Sequence, residues 1–125
     1  FVAAGKSGLG ALEATHEQGI YGYGVDACQC HLYPEVIASM TKRVDNAVYQ
    51  MILSALLGTF KGGIYSGGLA ESWTGMCRLP GEEEPIWEYT FEFDHDPLPD
   101  DVLAKVFEAR NKIISGDITV PTGYD

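Results

Sequence analysis

The chain has 125 residues, 46% of them apolar, and a net charge of −10 at neutral pH. That is enough chain for one packed core, so one domain is the default. The acidity excludes nucleic acid and anionic membrane surfaces as partners, because both are recognised through clustered Lys and Arg. The longest apolar stretch, around Ile52-Leu53-Ser54-Ala55-Leu56-Leu57, falls far short of the roughly 20 residues that cross a bilayer.

Phe1-Val2-Ala3-Ala4 reads as a buried strand that runs directly into the turn Gly5-Lys6-Ser7-Gly8. With no Met, no polar lead-in and no basic-then-apolar signal pattern, this start is expected to belong to a longer protein. Leu9 and Leu12, with Ala11 and Ala14 beside them, then fall three apart as on one helix face, and Gly19 suits the stop. Ile20 to Val25 alternates bulky residues with Gly22 and Gly24 and ends at Asp26, which predicts a short strand beside closely approaching backbone. After Pro34, Val36 to Met40 predicts another strand. Val44, Ala47, Val48, Met51, Ile52 and Ala55 then predict a helix that runs until Gly58.

Gly63-Ile64-Tyr65 is a weaker strand candidate. Tyr89, Phe91 and Phe93 alternate with polar residues, as on a half-exposed edge strand. Half of the eighteen acidic residues lie between Glu82 and Asp101, a run read as a solvated loop or edge. Asp100 or Asp101 is placed to cap a last helix carrying Val102, Leu103, Val106, Phe107, Ile113 and Ile114, which Gly116 stops. Strands alternating with helices predict an α/β fold on a parallel sheet, residues 1–125 forming a single lobe.

In such sheets ligands bind outside the carboxyl ends of the strands. Three strands here end at the Gly5 turn, at Asp26 and at Thr41-Lys42, bringing a glycine turn, a carboxylate and an ammonium to one edge. A carboxylate accepts two hydroxyl hydrogen bonds and a lysine donates to an ether or hydroxyl oxygen, a combination suited to a neutral polyol such as a ribose. The competing reading makes Asp26 a cap of the following turn and Lys42 a solvated first-turn residue. Gly5-Lys6-Ser7-Gly8 is not a P-loop, and Gly8-Leu9-Gly10 is not a full dinucleotide fingerprint.

Three cysteines leave at least one unpaired if an intrachain disulfide forms. Cys28-Gln29-Cys30-His31 with Cys77 has the composition of a zinc site, but its C-x-C spacing is tighter than a zinc knuckle. Buried or disulfide-linked cysteine is therefore the preferred reading, and neither metal nor cofactor is expected. His16 is placed on a helix face and His95 in the acidic loop. Trp73 and Trp87 are read as core or interface anchors. No Ser-His-Asp or Cys-His arrangement with supporting motifs supports an enzyme.

Ala3-Ala4-Gly5, Gly8-Leu9-Gly10, Gly24-Val25-Asp26, Gln29, Ser39-Met40 and Lys42-Arg43-Val44-Asp45-Asn46-Ala47-Val48-Tyr49 together resemble the basic membrane protein family of solute-binding lipoproteins. Ile113-Ile114-Ser115-Gly116 with Val120-Pro121 resembles that family's C-terminal signature. The resemblance implies a periplasmic-binding-protein type I fold of two α/β lobes with a purine nucleoside closed between them. It places Asp26 and Lys42 on the ribose, with the Gly5 turn beside them.

The same resemblance implies an extracytoplasmic, membrane-anchored or periplasmic protein that delivers its ligand to a transporter permease. It makes this chain mostly the C-terminal lobe, without its N-terminal partner lobe. The chain departs from the family where Cys28 replaces a second acid, and at residues 80–96, which read as an acidic insertion. An exposed crevice without its partner lobe also favours self-association. A cytoplasmic small-molecule sensor or regulatory domain of the same fold is the alternative function.

Overall fold

The computed structural model describes residues 1–77 and 98–121. In chain order the elements are α1 (Ser7–Glu17), β1 (Gly22–Gly24), β2 (Val36–Lys42), α2 (Val44–Leu56), β3 (Thr74–Met76) and α3 (Asp100–Ser115). The expected edge strand at 88–93 and the acidic insertion at 80–96 lie outside the described residues, as do Trp87 and His95.

The sheet has the order β1-β2-β3. β1 and β2 are parallel, with Gly22 opposite Val36, Tyr23 opposite Ala38 and Gly24 opposite Ser39. β3 runs antiparallel to β2, pairing Met40 with Met76 and Lys42 with Thr74, so the sheet is mixed where an all-parallel one was expected. As the central strand, β2 buries Val36, Ala38, Ser39 and Thr41, a near-continuous pattern rather than strict alternation.

α1 packs across β1 through Leu12, which is fully buried. The fit depends on Gly22, where an added Cβ would lie 2.8 Å from Thr15 Oγ1 and 3.1 Å from Leu12 Cδ2. The core gathers Leu12, Cys28, Cys30, Val36 and Cys77, with Val2, Leu32 and Tyr33 packed against it. The β1–β2 connection therefore supplies core side chains although it contains no helix. His16, in the last turn of α1, bonds Glu35 through Nδ1 at 2.7 Å and stacks on Tyr33 at 4.8 Å between ring centroids.

α2 follows β2 directly and is held by polar contacts along its first half. The Asn46 side-chain amide donates to the Ser72 carbonyl at 2.9 Å, and Gln50 Nε2 donates to the Glu71 carbonyl at 3.0 Å. The Trp73 indole N–H donates to Gln50 Oε1 at 2.9 Å, which makes Trp73 an anchor. Its apolar face stays open: α2 has no buried residue, and Val48, Ile52 and Leu56 are exposed.

Three local expectations need correction. Phe1–Ala4 is not a strand, since only the Val2 N–H reaches β1, donating to the Tyr23 carbonyl at 3.1 Å, and one such bond makes no ladder. Gly63-Ile64-Tyr65 is an exposed loop in which the Tyr65 hydroxyl folds back onto the Lys61 backbone and its ring stacks on Phe60. Pro99, not Asp100 or Asp101, is the N-cap of α3, and no side chain caps it. The two aspartates lie inside the first turn, where they favour the helix through its dipole instead.

Candidate ligand-binding site

Because β1 and β2 are parallel, their carboxyl ends share an edge, and the structure brings Asp26 and Lys42 together there. Lys42 Nζ lies 2.6 Å from Asp26 Oδ1, and the Lys42 N–H donates to the Asp26 carbonyl at 2.9 Å. Lys42 is the last residue of β2, so the reading that placed it in a helix's first turn falls away.

Both side chains are more than half exposed, at 60% for Lys42 and 53% for Asp26. An ion pair in that much water contributes only about 0–1 kcal/mol to stability, so folding is not its main consequence. Asp26 also holds φ at +73°, a left-handed conformation that costs most side chains roughly 1–2 kcal/mol and that Asp tolerates better than most. A strained backbone that carries solvent-facing charge is a mark of functional sites.

Neighbouring groups fix this conformation. Gln29 Oε1 accepts the Val25 N–H at 3.0 Å, and the Gln29 N–H donates to Ser39 Oγ at 3.0 Å. Ser39 is fully buried in β2, so the Asp26 loop is tied to the central strand. Gly24 leaves the space this needs, since a Cβ there would press on Ser39 Oγ and on Gln29 Oε1. Gln29 and Ser39 had no assigned role in the sequence reading. The alternation of glycine with bulky residues in Ile20–Val25 was the available signal that something approaches the backbone there.

Gly5 lies in the turn that leads into α1. Its φ is +55°, its carbonyl accepts the Gly8 N–H at 3.0 Å, and the space above its Cα is open. Next to Lys42, the Thr41 hydroxyl is buried and has no hydrogen-bond partner among the described residues. Arg43 grips Asp45 with two nitrogens, Nε at 3.0 Å and Nη2 at 2.8 Å, which holds the Asp45 carboxyl below its usual range.

No disulfide joins the three cysteines, which are all buried, with Sγ atoms within 4.8 Å of one another. His31 is exposed and outside this group. Tyr23 borders the thiols; burial above all pushes its hydroxyl up to about 12, with Cys77 and then Cys30 adding to it.

The fold is α/β, the lobe of a periplasmic-binding-protein type I architecture. It matches a solute-binding protein of an ABC transporter system from Aeropyrum pernix with a TM-score of 0.60 and 28% identity, over 95% of this chain and 38% of that one. A transcriptional activator of the comK gene from Bacillus halodurans shares the fold, with a TM-score of 0.66 and 17% identity over 90% of this chain and 35% of that one.

An uncharacterized lipoprotein of Pyrococcus abyssi is 38% identical over 89% of this chain and 30% of its own length. Basic membrane protein A of Borreliella burgdorferi is 34% identical over 98% of this chain and 33% of its own length, and basic membrane protein C is 31% identical over 97% and 31%. No protein-family model matches the chain. Over nearly its whole length the chain is similar to members of the basic membrane protein family. It spans about 30% of the length of the curated relatives it matches.

Proposed function

We propose that this chain is one lobe, mostly the C-terminal one, of the non-enzymatic solute-binding component of a membrane transporter. Its ligand is a purine nucleoside or a similar ribose-containing molecule, closed between this lobe and an N-terminal partner lobe. The observation that carries the reading is the exposed Asp26–Lys42 pair at the shared carboxyl edge of two parallel strands, with Asp26 in a left-handed conformation. Ribose hydroxyls donate to the Asp26 carboxylate while Lys42 donates to a sugar oxygen, and the Gly5 turn, open above its Cα, is proposed as the third contact.

The lipoprotein relatives support an extracytoplasmic, membrane-anchored or periplasmic location and a permease as partner. Among the described residues no helix is long and apolar enough to cross a membrane. The bare face of α2 supports self-association whenever the lobe stands alone.

The test is calorimetric titration with purine nucleosides, free ribose and free nucleobase. Asp26→Asn keeps a side chain that tolerates the left-handed backbone and removes the charge. It should weaken nucleoside binding by at least about 1.5–3 kcal/mol, the scale of hydrogen bonds to a charged group, or roughly ten- to a hundredfold. Unchanged affinity in both Asp26→Asn and Lys42→Met would sink the assignment.

A further inference from the structure

We propose that Cys28, Cys30 and Cys77 form a three-sulfur site for a soft metal ion, and that monovalent copper is the cation it fits. The topology gathers these residues from two separate stretches. Cys28 and Cys30 lie on the β1–β2 connection, and Cys77 follows β3 directly. Because β3 is antiparallel to β2, the chain returns past Met40 and sets Cys77 beside Ser39, whose carbonyl accepts the Cys77 N–H at 3.0 Å. The Ser39 hydroxyl accepts the N–H of Gln29, the residue between the other two cysteines. One buried serine thus fixes both arms of the cluster.

The spacing suits a shared ion. All three sulfurs lie within 4.8 Å of one another, with Cys30 and Cys77 at 3.6 Å. Around one ion at a metal–sulfur bond of about 2.3 Å, sulfurs stand roughly 3.8–4.0 Å apart, so small rotations of the side chains complete the site. A disulfide, with its bond of about 2.05 Å, would draw in two sulfurs and leave the third unused.

The donor set selects the ion. Among the described residues no His, Asp or Glu joins the three sulfurs, whereas structural zinc takes four ligands. The cysteines are 5%, 1% and 2% exposed, which leaves little access for water as a fourth ligand. Soft thiolates favour monovalent copper, zinc and iron–sulfur clusters alike, and it is the set of three sulfurs without a fourth donor among the described residues that points to copper.

Without the ion the cluster rests as thiols. The hydrogen bond with Cys28 and then burial push Cys77 up to about 12, against a lowering hydrogen bond with Cys30; for Cys30, hydrogen bonds with Cys28 and Cys77 and then burial all raise it. Binding replaces S–H bonds with S–metal bonds and sends each displaced proton to solvent, with no change of oxidation state.

The test uses protein purified anaerobically with reductant and titrated with monovalent copper against a chromophoric chelator. One ion per chain should be retained, with near-ultraviolet thiolate-to-copper absorption, and X-ray absorption should show three sulfur neighbours and no nitrogen or oxygen. Cys28→Ser, Cys30→Ser and Cys77→Ser should each weaken retention at least tenfold. Should a variant misfold, alkylation of the wild-type protein decides the matter: bound copper should shield all three cysteines. Loss of all copper to the chelator, a two-sulfur centre, or tighter binding of zinc than of copper would overturn the proposal. So would mapping of a Cys30–Cys77 disulfide in the native protein.

Discussion

Replacing Gly24 with alanine tests whether close approach of the chain, rather than backbone freedom, is what the strand glycines supply. The new Cβ would lie 2.5 Å from Gln29 Oε1 and 3.1 Å from Gln29 Cβ, and would also press on the buried Ser39 hydroxyl. Overpacking of a filled site costs about 1–3 kcal/mol. Displacing Gln29 also loosens the Val25-to-Gln29 and Gln29-to-Ser39 hydrogen bonds, each worth about 1 kcal/mol. The expected loss is about 2–4 kcal/mol, or a Tm lower by roughly 10 °C in a domain of this size.

Gly10→Ala is the control, in the middle of α1 with nothing within 4 Å of the added Cβ. It should stabilise by about 0.5–1 kcal/mol, since Gly weakens a helix interior relative to Ala. Urea denaturation of both variants reads the two signs side by side. A Gly24→Ala loss under about 0.5 kcal/mol would refute the reasoning, because the Gln29–Ser39 tie would then have room to yield.

Leu12→Ala should cost about 2–5 kcal/mol in urea denaturation, because Leu12 is fully buried and joins α1 to the core. Leu56→Ala, at a position 79% exposed, should stay within about 0.5 kcal/mol of the parent. Asp45 is held below its ordinary carboxylate range by Arg43, so its contribution is present above the unfolded pKa and is lost as pH falls through the lower folded value. Asp45→Asn should therefore reduce Tm slightly at pH 6, by no more than the equivalent of about 1 kcal/mol for so exposed a group, with the difference closing as pH falls below the ordinary carboxylate range. A difference that persists undiminished at low pH would assign the effect to packing.

Helices were the more legible elements in the sequence, because each ended at a glycine that the structure finds in the left-handed region: Gly19, Gly58 and Gly116. β2 was legible from its β-branched start. β3 was not, because Thr74-Gly75-Met76 is three residues long and owes its strand state to pairing with β2, which local composition does not encode. The same short strand reverses the expected direction of pairing and so places Cys77. Asp26 and Lys42 could be put on one edge by strand polarity alone. Their 2.6 Å contact, and the positive φ of a non-glycine residue, needed the fold.

Two independent filters act on position 26. The backbone at φ +73° accepts glycine most readily, with asparagine and aspartate next. The Lys42 ammonium at 2.6 Å asks for a carboxylate, which glutamate could also supply but from a side chain poorly suited to that backbone. Only aspartate passes both. A saturation library at this codon would therefore enrich glycine when sorted for thermal endurance, and aspartate when sorted for the charge pair.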